Sequence, residues 1–184
     1  MATLVLSAIG DDRPGLVDVL AATVADHEGN WDRSQLAQLA GTFAGVVVVT
    51  VPDEQVDALS RALAELHELL DVRITDASTA EPEDVGTLLE LHLVGQDRPG
   101  IVREVAGALA RRDVSIEELE TWTTSAPMSG EQLFEAGALL RLPGHADVGA
   151  LRAALEDIAN ELMVDLDVQL PAADGIDAHQ HEGG

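Results

Sequence analysis

The opening strand-like stretch of this chain is written twice. Leu4-Val5-Leu6-Ser7-Ala8-Ile9-Gly10-Asp11-Asp12-Arg13-Pro14-Gly15-Leu16-Val17 returns as Leu89-Glu90-Leu91-His92-Leu93-Val94-Gly95-Gln96-Asp97-Arg98-Pro99-Gly100-Ile101-Val102, an offset of 85 from Asp12 to Asp97. The apolar pattern, a glycine and an entire Asp-Arg-Pro-Gly turn coincide, which marks an internal repeat. Phe43 to Pro52 returns as Phe134 to Pro143 at an offset of 91, so the second copy carries six more residues between the two landmarks. They fall at Ser125-Ala126-Pro127-Met128-Ser129-Gly130, a loop by composition.

Each copy changes its periodicity in the same order. Leu4, Leu6 and Ala8 alternate as in a strand, and Leu16, Leu20 and Val24 then recur at helical spacing. The intervening Pro14 suits the first turn of that helix. Trp31 to Leu39 and Phe43 to Val51 read as a strand pair turning at Ala40-Gly41. Asp53 or Glu54 opens a second helix with Val56, Leu59, Leu63 and Leu66 on one face, and Val72 to Thr75 closes as a short strand. The second copy repeats this as Leu89 to Val94, Ile101 to Arg111, Ser115 to Thr123, Leu133 to Leu142, Val148 to Leu162 and Val164 to Leu170. The order βαββαβ predicts an α+β protein of two tandem ferredoxin-like domains, each an antiparallel sheet with helices on one face. The expected boundaries are 1–76 and 88–170, with an Ala, Glu, Asp and Pro-rich linker at 77–87 and a polar, disordered tail at 171–184.

The Val46 to Val49 run is apolar on both faces of its strand, so the face without helices should meet another surface. That surface is either the other repeat or a second chain. Exposed edge strands add to the case for a homo-oligomer or a continuous eight-stranded sheet.

Composition narrows the chemistry. There is no Cys, no Lys and no Tyr, and all ten basic residues are Arg. Disulfides, thiolate and Schiff-base catalysis, the phosphate-loop lysine and tyrosine acid/base chemistry are therefore absent. A formal net charge of −24 repels a polyanion, so direct nucleic-acid binding is not expected. No apolar run approaches the roughly 20 residues that span a bilayer, and no basic leader precedes the first strand. A cytoplasmic protein is expected, with no membrane role.

The repeated turn is where a ligand would be held. A Gly just past a Pro at a helix start lets a ligand approach the backbone, and the N–H groups of the first helical turn, aided by the helix dipole, favour a carboxylate. Pro14, Gly15 and Leu16 supply this arrangement in the first copy, and Pro99, Gly100 and Ile101 in the second. An ammonium group needs an acceptor nearby, and Asp12 and Asp97 are placed to provide it. Helix capping is the competing role for both. Arg13 and Arg98 precede proline and must be extended, where solvent or an ion pair competes with ligand contact. His92 belongs to the sheet face opposite Leu91 and Leu93. Two tail residues, His179 and His181, make a poor metal pair, and no cofactor, metal site or catalytic constellation of nucleophile, base and orienter stands out.

With these residues in place, the chain resembles the ACT family of amino-acid-binding regulatory domains over Leu4 to Leu170. The segment Ala126-Pro127-Met128-Ser129-Gly130 followed by Leu133-Phe134 resembles the second half of glycine cleavage system transcriptional repressors, tandem ACT proteins without a DNA-binding domain. The resemblance implies a second ligand contact at the start of the strand after the first helix. Here that means Asn30 and Trp31 in one copy, Ser115 and Ile116 in the other, with ligands held at interfaces between ACT units. Trp31 also fits a core or interface role. The implied function is an amino-acid sensor, for glycine or serine, that acts through a DNA-binding transcription factor or a metabolic enzyme rather than as an enzyme itself. The alternative is a non-sensing ACT pair that oligomerises or docks on a metabolic enzyme.

Overall fold

A computed structural model describes residues 1–77, 86–126, 131–144 and 148–170. The chain divides into two compact units, residues 1–82 and 83–184. The expected linker therefore lies mostly, and the expected tail entirely, outside the described residues.

The first unit runs β1 (Ala2–Asp11), α1 (Leu16–Asp26), β2 (Asn30–Leu39), β3 (Thr42–Val51), α2 (Val56–Glu65) and β4 (Asp71–Asp76), with short 3-10 turns on both sides of α2. The second runs β5 (Thr87–Gln96), α3 (Ile101–Ala110), β6 (Ser115–Ser125), β7 (Gln132–Leu142), α4 (Val148–Leu162) and β8 (Val164–Gln169). Both sheets are antiparallel, in the orders β2-β3-β1-β4 and β6-β7-β5-β8. Each unit is thus the expected ferredoxin-like βαββαβ domain.

Alternation in the strands and spacing in the helices build the core together. Leu4, Leu6 and Ala8 of β1 and Val47, Val49 and Val51 of β3 point one way and pack on Leu16, Leu20 and Val24 of α1 and Leu59 and Leu63 of α2. In the second unit Leu89 and Leu91, with Ala138, Leu140 and Leu142, pack on Ala108, Leu109, Leu151 and Leu155. Leu93, Ile101, Phe134, Ala136 and Val164 form a second buried group.

The offset between the copies reappears as register. Gly10 pairs with Phe43 and Gly95 with Phe134. The β2–β3 hairpin turns through Ala40 and Gly41 with φ of 51° and 80°, two consecutive positive values that match the twist of the strands they join. The open face of the first sheet carries apolar side chains, as the Val run predicts: Ile9 is 51% exposed and Val46 41%.

Pro14 departs from expectation. Helix α1 begins at Leu16 and its N-cap is Gly15, so Pro14 sits in the turn before the helix rather than in its first turn. Pro99 stands in the same relation to α3, whose N-cap is Gly100.

Candidate functional site

The two Asp-Arg-Pro-Gly turns leave the ends of β1 and β5 in the same way. The Asp12 amide donates to the Gly41 carbonyl at 2.9 Å and the Asp97 amide to the Gln132 carbonyl at 3.1 Å, tying each turn to the neighbouring hairpin. The chain then passes through a left-handed glycine, Gly15 at φ 94° and ψ −1° or Gly100 at φ 93° and ψ −4°, directly into the helix. Only glycine adopts this conformation without steric cost, which is why both copies place it there. A Cβ built on Gly15 would meet no protein atom within 4 Å, so the backbone at the start of α1 is open to a small molecule.

Neither helix has a side-chain capping bond at its N-terminus. Asp12 and Asp97 both stand three residues before the N-cap and are exposed, so the N-cap position itself falls to a glycine, which has no side chain to cap with. The first N–H groups of α1 keep the unsatisfied donor character that a carboxylate answers.

The arginines differ. Arg98 donates through Nη1 to Glu104 Oε1 at 3.1 Å and through Nη2 to Oε2 at 2.5 Å, a two-point pair across the first turn of α3. The hydrogen bond to Arg98, ahead of the charge attraction, holds the Glu104 carboxyl below the usual carboxylate range, and the same bond raises Arg98. Arg13 is exposed and makes no ion pair among the described residues; the position matching Glu104 at the offset of 85 is Val19.

The second group of candidates lies elsewhere in each unit. Asn30 pairs with Thr50 and thus shares a row with Thr3, whereas Asp11 pairs with Thr42 at the opposite end of β1. Eight residues of strand separate the two rows, about 27 Å at the usual rise of about 3.4 Å per residue. Ser115, opposite Arg141, is equally remote from Asp97. No single unit can apply both its turn and its strand start to one small ligand. Trp31 is half-buried and packs against the first core, and Ile116 packs in the second.

Both strand starts contain a feature that the sequence did not announce, a β-bulge between Trp31 and Arg33 and another between Ile116 and Glu118. The extra residue is acidic each time. Asp32 accepts from the Asn30 amide group and, at 2.6 Å, from the Thr50 hydroxyl. Glu117 accepts from Arg141 Nε at 3.0 Å. With its amide group committed to Asp32, Asn30 retains its carbonyl oxygen as an acceptor. The signal for both bulges was an acidic residue after Trp31 and after Ile116, but only pairing register distinguishes a bulge from ordinary alternation.

A cavity of about 30 Å³ lies in the second unit between α3 and β6, lined by Val102, Val105, Ile116, Leu119, Phe134 and their apolar neighbours. It has room for about two waters, offers nothing to a carboxylate or ammonium, and touches none of Asp97 to Gly100. On the opposite face of that sheet, Glu135 accepts from Trp122 Nε1 at 3.1 Å and from the Thr124 hydroxyl at 2.7 Å, with the His92 ring 6.3 Å from that of Trp122. Among the described residues no group of three His, Asp or Glu side chains could hold a metal, and no helix is long and apolar enough to cross a membrane.

Two ferredoxin-like units, each entering its first helix through a left-handed glycine, define a tandem ACT protein. The ACT domain family matches residues 2–75 and again 87–160, and the chain belongs to it. The chain is similar along most of its length to the glycine cleavage system transcriptional repressor of Escherichia coli (strain K12): 23% identical over 163 residues, 86% of this chain and 85% of the relative. Among solved structures, an unknown protein from Galdieria sulphuraria is 29% identical with a TM-score of 0.81, covering 93% of this chain and 99% of its own. A structure ascribed to a glycine cleavage system transcriptional repressor shares the fold at 17% identity and a TM-score of 0.69, covering 91% and 96%.

Proposed function

We propose that this protein is an amino-acid-responsive regulator of the glycine cleavage repressor type. It binds a small amino acid such as glycine or serine and acts through a protein partner, either a DNA-binding transcription factor or a metabolic enzyme. The two ACT units, at 1–76 and 88–170, would be the sensing bodies. The observation that carries the reading is the turn at Asp12 to Leu16. An open left-handed glycine and uncapped helical N–H groups suit a ligand carboxylate, and the exposed Asp12 carboxylate beside them suits an ammonium. Asn30 would add a contact only where its strand start meets a ligand held by a different ACT unit. Similarity to the Escherichia coli repressor over 86% of this chain supports the regulatory role.

The mechanism is a population shift. The amino acid favours one arrangement of the protein, the partner favours another, and the difference in ligand affinity between the two sets the size of the response. Calorimetric titration of the whole chain with glycine, serine and alanine tests the sensing step. Binding by the wild type that weakens in Asp12→Asn supports it, and equal affinities in the two proteins would sink the turn-centred site. Silence with all three amino acids would favour the non-sensing module, for which the exposed Ile9 and Val46 offer a docking face.

A further inference from the structure

We infer that the two turns are not equivalent: Glu104 closes the second, and the chain takes its amino acid at the first alone. This inference rests on the turn-centred reading above and adds which turn works. The Glu104 carboxylate is held by two hydrogen bonds from Arg98, and its Oε1 lies 3.9 Å from the point a Cβ on Gly100 would occupy. The chain's own carboxylate thus lies beside the left-handed glycine, on the turn where the reading above puts an amino acid's carboxylate. It also engages the guanidinium that flanks the turn. An incoming ligand would have to displace a two-point, charge-assisted pair to gain the same partners.

The first turn is built without that obstruction. Val19 stands at the position of Glu104 and can neither accept from Arg13 nor cover Gly15, beside which no protein atom comes within 4 Å of a Cβ. The one acidic residue in the first turn of α1, Asp18, makes no hydrogen bond to Arg13; its counterpart in the second copy is Arg103. The guanidinium at the second turn is therefore paired within the fold, and the one at the first has no ion-pair partner among the described residues. Duplication gave two copies of one backbone, and a single side chain separates their uses.

Amide resonances of Gly15, Leu16, Gly100 and Ile101 report on the two turns separately, even for weak binding. Titrating the full chain with glycine should move Gly15 and Leu16 and leave Gly100 and Ile101 in place. In Glu104→Val, which installs the residue of the first copy, and in Glu104→Gln, which keeps the shape and removes the charge, all four should move. Val19→Glu should silence the first turn. A wild type in which both turns respond equally overturns the inference and leaves the turn-centred reading standing. Two Glu104 variants, both folded by circular dichroism, in which the second turn still fails to respond also overturn it. If no turn responds in any variant, the turn-centred reading itself fails and takes this inference with it.

Discussion

Arg98 and Glu104 meet across the first turn of α3, Nη1 donating to Oε1 at 3.1 Å and Nη2 to Oε2 at 2.5 Å, six residues apart in sequence. The pair lies at the surface, so its worth is read best as a pH dependence. The hydrogen bond from Arg98 holds the Glu104 carboxyl below the usual range, so its contribution to stability is present above the unfolded carboxylate value. It is lost as pH falls through the lower, folded value. Glu104→Gln should therefore melt below the wild type near neutral pH, with the gap closing as pH drops beneath the ordinary carboxylate range. A gap that persists there would mean the pair is not its cause.

At the first turn, stability and binding should separate. Gly15→Ala places a Cβ in open space but forces an L-residue to φ 94°, so its cost is conformational, about 1–2 kcal/mol in denaturant unfolding. Asp12→Asn touches no cap and should leave the unfolding midpoint unchanged, while glycine affinity falls by about 1.5–3 kcal/mol, the range of a hydrogen bond to a charged group. Calorimetry together with urea titration of both variants checks the separation.

Gly45 is needed for a different reason. A Cβ there would collide with the Gln35 carbonyl and come within 2.8 Å of Leu36, its partner on the neighbouring strand β2. Gly45→Ala should cost about 1–3 kcal/mol by overpacking. The corresponding residue of the second unit is already Ala136, so Ala136→Gly should be the milder change. Similar losses in both variants would show that the close approach of β2 is not what Gly45 accommodates.

The apolar open face of the first sheet calls for a cover, and a second copy of the chain is the proposed one. Light scattering should give a dimer or larger assembly for the wild type. Val46→Asp, at a 41% exposed position, should lower the mass without altering the circular dichroism spectrum. A monomeric wild type at micromolar concentration would refute the assembly.

A net charge of −24 repels a polyanion at long range. Gel shifts with the purified chain alone should show no retarded duplex at physiological salt, and salt-sensitive retardation would contradict this.

Much of this protein is decided by local sequence. Alternation in Leu4, Leu6 and Ala8, the four-residue spacing of Leu16, Leu20 and Val24, and a turn repeated at an offset of 85 determine the strands, the helix and the duplication, because each depends only on neighbours along the chain. The glycine of the turn is equally local, since its φ is a property of one residue. What needed the tertiary structure were relations between distant segments. Only register shows that Asn30 and Asp12 occupy opposite ends of one sheet, and only pairing across strands makes Asp32 and Glu117 bulged residues joined to Thr50 and Arg141. The fate of Glu104 is of the same kind. In sequence it is one acidic residue among 34, and it becomes the partner of Arg98 because the left-handed Gly100 folds the turn back over the helix start and brings the two charges within hydrogen-bonding distance.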